Sequence, residues 1–126
     1  MDYKALIAKA CDFFSIANPV AHWWYQRVSA AALVPLSIWL IVFLNKALSV
    51  PYPDIVSWLG SPINLLAIAA WIVAVVYHAA LGVQVVIEDY VSTIAVRHLA
   101  IRASNLIFLL LGVLALLALL LITVGK

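Results

Sequence analysis

Three long apolar runs dominate this chain, from about Val28 to Leu48, about Ile63 to Ile87 and about Leu106 to Val124. Each is near the length of about 20 residues that a helix needs to cross a hydrocarbon layer about 30 Å thick. No water reaches the backbone in such a layer, so each run must satisfy its own N–H and C=O groups, and an α-helix does this. Composition removes the soluble alternative. Apolar residues make up 68% of the chain and charged residues 10%, where a soluble domain carries about a quarter charged. The sequence therefore predicts an all-α integral membrane protein, with residues 1–126 as a single domain containing three transmembrane helices.

The same composition excludes several functions. A formal charge of +2, scattered and without a basic run, does not suit nucleic acid. Cys11 is the only cysteine, so a disulfide framework, a Cys-ligated cluster and a zinc knuckle within the chain are excluded. The start, Met1-Asp2-Tyr3, lacks the pattern of a signal peptide or an organelle leader. The expected address is a bacterial inner (cytoplasmic) membrane.

Outside the spans, Tyr3, Leu6, Ile7, Ala10, Phe13 and Phe14 fall near helical spacing, with Lys4, Lys9 and Asp12 among them. This predicts a short amphipathic helix on the membrane surface, ended by Asn18-Pro19. His22-Trp23-Trp24-Tyr25 is aromatic-belt chemistry at the entrance to the first span. Pro35 predicts a kink packed against a neighbour. Pro51-Tyr52-Pro53-Asp54, Trp58 and Gly60 read as an interfacial loop, after which Ser61 and Pro62 supply an N-cap and first-turn proline. Lys4, Lys9, Arg27, Arg97 and Arg102 lie at one end of the spans, against Lys46 and Lys126 at the other. The expected N-terminus is therefore cytoplasmic and the C-terminus periplasmic.

The third span is mostly leucine, alanine and valine after Asn105 and carries no chemistry. The second holds His78 close to the middle of the bilayer, where an ionisable side chain is costly and faces protein rather than lipid. Ala70, Ala74, His78 and Gly82 recur at four-residue steps and form one stripe. Small residues around an imidazole leave room for a flat, bulky group such as haem. They also make a helix-packing face in which His78 bonds a neighbouring helix. Spacing alone does not choose between the two. No other histidine lies mid-membrane, since His22 and His98 are near the interface, so a six-coordinate haem would need its second ligand from another polypeptide or from a second copy of this chain.

Further along, eleven steps of 100° bring Asp89 within about 20° of His78 and about 16 Å along the axis. Tyr90 is adjacent, and Arg27 is expected at the same depth. A tyrosine, an acid and a guanidinium at an interface suit a quinone headgroup, which needs hydrogen-bond donors and protons. The ordinary alternative is belt chemistry for Tyr90 and a structural ion pair between Arg27 and Asp89.

The segment His78-Ala-Ala-Leu-Gly-Val-Gln-Val-Val-Ile-Glu-Asp-Tyr-Val91 resembles the second-span motif of succinate dehydrogenase hydrophobic anchor subunits. The resemblance is to the D-type of the haem-containing bacterial class. His22-Trp-Trp-Tyr-Gln-Arg-Val-Ser-Ala30 is similar to the entrance of their first span. The resemblance implies that His78 is an axial ligand of a haem b shared with a C-type cytochrome b anchor subunit. It implies that Gly82 lies beside that haem, that Tyr90 bonds a ubiquinone carbonyl and that Asp89 supports the site. It also implies that Arg27 sits by the haem propionates and quinone. Succinate oxidation would belong to a flavoprotein subunit and electron delivery to an iron–sulfur subunit, so the chain would be no enzyme on its own. Three other readings stand beside this one: a haem-free anchor of a related fumarate reductase, a small transporter subunit using Glu88 or Asp89, and a purely structural assembly subunit.

Overall fold

The computed structural model describes residues 2–13 and 19–125, with side chains over 2–10 and 20–125. Five helices follow one another: α1 (Tyr3–Phe13), α2 (Pro19–Ser49), α3 (Tyr52–Leu59), α4 (Pro62–Tyr90) and α5 (Ile94–Val124). Helices α2, α4 and α5 are the expected spans, each long and apolar enough to cross a membrane. At 1.5 Å per residue they measure about 44–47 Å, so their ends extend beyond a hydrocarbon layer of about 30 Å.

Helix α1 is present, and the Asp2 carboxylate accepts from the backbone N–H groups of Lys4 and Ala5 at its start. Its side chains from Tyr3 to Ala10 are exposed. The expected stop at Asn18 and the contribution of Phe14 lie outside the described residues, as does Lys126.

Three points differ from the sequence expectation, the first being that α2 begins at Pro19, nine residues before Val28. The interfacial loop contains α3, an eight-residue helix. Pro51 precedes it in extended conformation, Pro53 falls in its first turn where no N–H is needed, and Ile55, Val56 and Leu59 are buried. The Gly60 N–H closes it on the Val56 carbonyl at 2.9 Å. Helix α5 begins at Ile94, twelve residues before the expected Leu106. Arg97, His98, Arg102 and Asn105 lower the hydropathy of that stretch without breaking the helix. Arg97 and Arg102 therefore lie on the first turns of α5, and the α4–α5 connection is residues 91–93. The Arg97 Nε donates to the Val91 carbonyl at 2.9 Å and fastens that turn.

Ser61 is the α4 N-cap and Pro62 stands in the first turn, but the Ser61 side chain makes no cap bond. Its hydroxyl instead accepts from Asn64 Nδ2 (2.8 Å), which also donates to the Trp58 carbonyl (2.9 Å) and ties α3 to α4. Helix α2 runs through Pro35 unbroken. Pro35 is exposed within this chain, so a neighbour packed on it would be another polypeptide or lipid.

Helix α4 is the middle member of the bundle, packed on α2 at one side and α5 at the other. Helix α3 touches all three at one end. The apolar core lies there: Leu59, Ile68 and Leu119 are buried, with Trp39, Leu40, Phe43, Leu65, Ala69 and Ile72 against them. Trp58 stacks on Trp39 (centroids 5.8 Å) and Phe43 (6.0 Å), and Lys46 lies over its ring. In the most apolar window of each span only 6–11% of residues are buried within the chain. Lipid or other helices must cover the rest.

Candidate functional site

Side chains fix how α2 meets α4. Trp71 Nε1 donates to Ser37 Oγ at 3.3 Å. Eight residues back along α2 and seven forward along α4, Ser29 Oγ lies 2.9 Å from His78 Nδ1. A Cβ placed on Gly82 would stand 3.6 Å from Gln26 Nε2, an ordinary contact. These three levels define an antiparallel pair, in which the expected stripe turns toward α2 at His78 and Gly82. Ala74 is half-buried and Ala70 exposed, so the far part of the stripe opens outward. At its His78 end the stripe is thus a helix-packing face.

That packing engages one nitrogen of His78 only. Nδ1 is held by Ser29, and no hydrogen-bond partner is given to Nε2 among the described residues. A haem iron takes four ligands from the porphyrin and asks the protein for one imidazole on a side. His78 fits that requirement, with one ring nitrogen anchored and the other unengaged. Among the described residues no group of three or more His, Cys, Asp or Glu side chains gathers that could hold a bare metal ion.

The register moves Arg27 away from its expected depth. Gln26 stands level with Gly82, so Arg27 lies beside the Gly82 level. Asp89, seven residues beyond Gly82, is about 10 Å further along the axis. Arg27 is therefore nearer to the level of His78 than to Asp89. It is exposed and its guanidinium lies 5.0 Å from the Trp23 ring centroid. No ion pair joins it to Asp89 among the described residues, so the structural pair weighed from sequence is not made within this chain.

Asp89 and Tyr90 close α4 in exposed positions, Tyr90 at 85% exposure. The neighbouring Glu88 accepts a hydrogen bond from Gln84 Nε2 at 2.9 Å. This chain supplies one wall at that end, and any enclosed headgroup site needs walls from elsewhere.

Two features had little signal in the sequence. Ser29, 7% exposed, reads there as one more small residue in a span. Gln84 is 6% exposed and lines a cavity of about 420 Å³ between α2, α4 and α5, together with His22, Tyr25, Tyr77 and Asn105. Polar residues on α4 and α5 at helical spacing could have marked this face, but aliphatic side chains dominate it. His98, by contrast, is exposed on α5.

A row of spanning helices, mostly uncovered, with one imidazole tied midway along its central member, defines an integral-membrane protein. Residues 7–121 match the family described as succinate dehydrogenase/fumarate reductase transmembrane subunit. A relative from Rickettsia bellii, a succinate dehydrogenase hydrophobic membrane anchor subunit, is 41% identical over 108 residues, covering 83% of this chain and 84% of its own. Its namesake in Rickettsia conorii is 39% identical, covering 77% and 78%. No solved structure matches. This chain belongs to the succinate dehydrogenase/fumarate reductase transmembrane subunit family.

Proposed function

We infer that this chain is the hydrophobic anchor of a bacterial succinate:quinone oxidoreductase, holding the flavoprotein and iron–sulfur subunits at the cytoplasmic face of the inner membrane. Family membership supports the anchor role, and the names of the Rickettsia relatives favour succinate dehydrogenase. The N-terminus faces the cytoplasm. Arg97 and Arg102 on the first turns of α5 join Lys4, Lys9 and Arg27 at one end, against Lys46 at the other. On this reading α1 lies along the cytoplasmic membrane surface.

In this reading His78 Nε2 would hold the iron of a haem b, which a C-type cytochrome b anchor would share. The observation that carries it is the bond from Ser29 to His78 Nδ1, which orients the ring and leaves Nε2 unengaged. When bound, the haem supplies a one-electron store beside the quinone. Gly82 leaves the approach along α4 clear, and Arg27, near the His78 level, is placed for haem propionates more than for the quinone headgroup. Tyr90 donates its phenolic O–H to a ubiquinone carbonyl, and Asp89 holds the site polar and passes protons from the cytoplasmic side. Two electrons from the iron–sulfur subunit and two protons turn the quinone to quinol. The isoprenoid tail stays in lipid.

The test is the dithionite-reduced minus oxidised visible spectrum of the complex purified through a tag on this chain. A sharp low-spin b-type α-band, altered or lost in His78→Ala, is expected. A flat spectrum from an intact, partner-bound preparation overturns the haem assignment and returns His78 to a packing role.

A further inference from the structure

The imidazole ligand of a metal is neutral, so one of its nitrogens carries the lone pair and the other a proton. Which is which depends on the hydrogen bond made by the nitrogen that faces the protein. Here that bond is to a serine that has a second partner. Ser29 Oγ lies 2.9 Å from His78 Nδ1 and donates to the Gln26 backbone carbonyl at 3.0 Å. A hydroxyl has one proton and can accept as well as donate. If the proton goes to the Gln26 carbonyl, as the geometry allows, the oxygen can only accept from His78. Nδ1 then carries the hydrogen, and Nε2 the lone pair.

The geometry points to Ser29 as the positioning residue of His78: it sets the tautomer and the ring orientation through which His78 would bind iron. This rests on the haem reading given above. The placement is rigid. Ser29 is 7% exposed, and its carbonyl partner is a helix-backbone atom on its own α2, one turn back. Beside it, Gln26 Nε2 stands 3.6 Å from where a Cβ on Gly82 would lie, so the two helices are level there. A serine hydroxyl turned toward lipid would be free to rotate, whereas this one has both its donor and acceptor roles filled. Accepting from Nδ1–H makes the imidazole a stronger electron donor at Nε2, which favours ferric over ferrous iron.

The experiment compares Ser29→Ala, Ser29→Thr and His78→Ala in the whole complex, purified through a tag on this chain. Three quantities are read: haem content, the midpoint potential from an optical redox titration, and the g-values of the ferric low-spin signal. Ser29→Ala is expected to keep the haem, shift the midpoint upward and shift the g-values, because the ring loses its anchor. Ser29→Thr retains the hydroxyl and is expected to match the parent in both. Loss of haem in Ser29→Ala with full retention in Ser29→Thr supports the same role. Parent-like potential and g-values in Ser29→Ala overturn it, since a merely space-filling serine gives that result. Equal changes in Ala and Thr variants also overturn it, because the hydroxyl is then not the agent. An unaltered α-band in His78→Ala instead removes the haem reading itself, and so separates the two failures.

Discussion

Tyr90 ends α4 at 85% exposure, and no bond among the described residues orients its phenol. On the proposed quinone role its hydroxyl is what matters, and Tyr90→Phe removes that group while leaving the ring. A single hydrogen bond to a group gaining charge contributes about 1.5–3 kcal/mol, or about 10- to 100-fold in rate. Tyr90→Phe is expected to lower succinate:ubiquinone turnover by about that factor while the haem spectrum and assembly with the soluble subunits stay at parent levels. Unchanged turnover in steady-state assays argues that Tyr90 is belt chemistry. His78, Asp89 and Tyr90 stand out in the sequence as candidates, because an ionisable residue in a long apolar run is conspicuous and 100° steps carry one face of a helix across eleven residues. Ser29 was not legible. A serine in a span looks the same whether it packs, back-bonds its own helix or holds a histidine on another, and only the α2–α4 register distinguishes them. The depth of Arg27 failed for the same reason, since it depends on which residues of two helices stand level.

Element ends show where hydropathy stops being informative. It located three spans but began α2 nine and α5 twelve residues late, because polar and charged residues near a membrane surface lower the score of a helix without ending it. It also passed over α3, whose prolines mark a turn in one context and a helix start in another. The start of α5 offers a direct check on what holds it. Thr93 is its N-cap yet makes no side-chain cap bond, whereas Arg97 Nε bonds the Val91 carbonyl. A capping residue usually contributes about 0.5–2 kcal/mol, but none of that is expected from Thr93. Arg97→Ala removes a charge-assisted bond of about 1.5 kcal/mol, lower where water reaches it. In thermal unfolding of the detergent-solubilised protein, Thr93→Ala is expected to leave the midpoint near the parent and Arg97→Ala to lower it. The reverse order shows that the turn is held by the threonine.

Across the molecule, apolar burial is uneven. Leu59, Ile68 and Leu119 and the Trp39–Phe43–Trp58 stack lie at the α3 end, while from mid-span onward α2 and α4 bury Ala21 and Leu81 along with polar Ser29 and Gln84. Local opening follows the density of buried apolar contacts. Hydrogen exchange is therefore expected to be slowest around Phe43, Ile68 and Leu119, and fastest in the first turns of α2 and the last turns of α4. Uniform protection along α2 and α4 contradicts this. Helix α3, which touches all three spans, works as a clasp that joins them at one end. The clasp stands well away from His78 and Tyr90, so keeping the fold closed and presenting those side chains become separate tasks within one short chain.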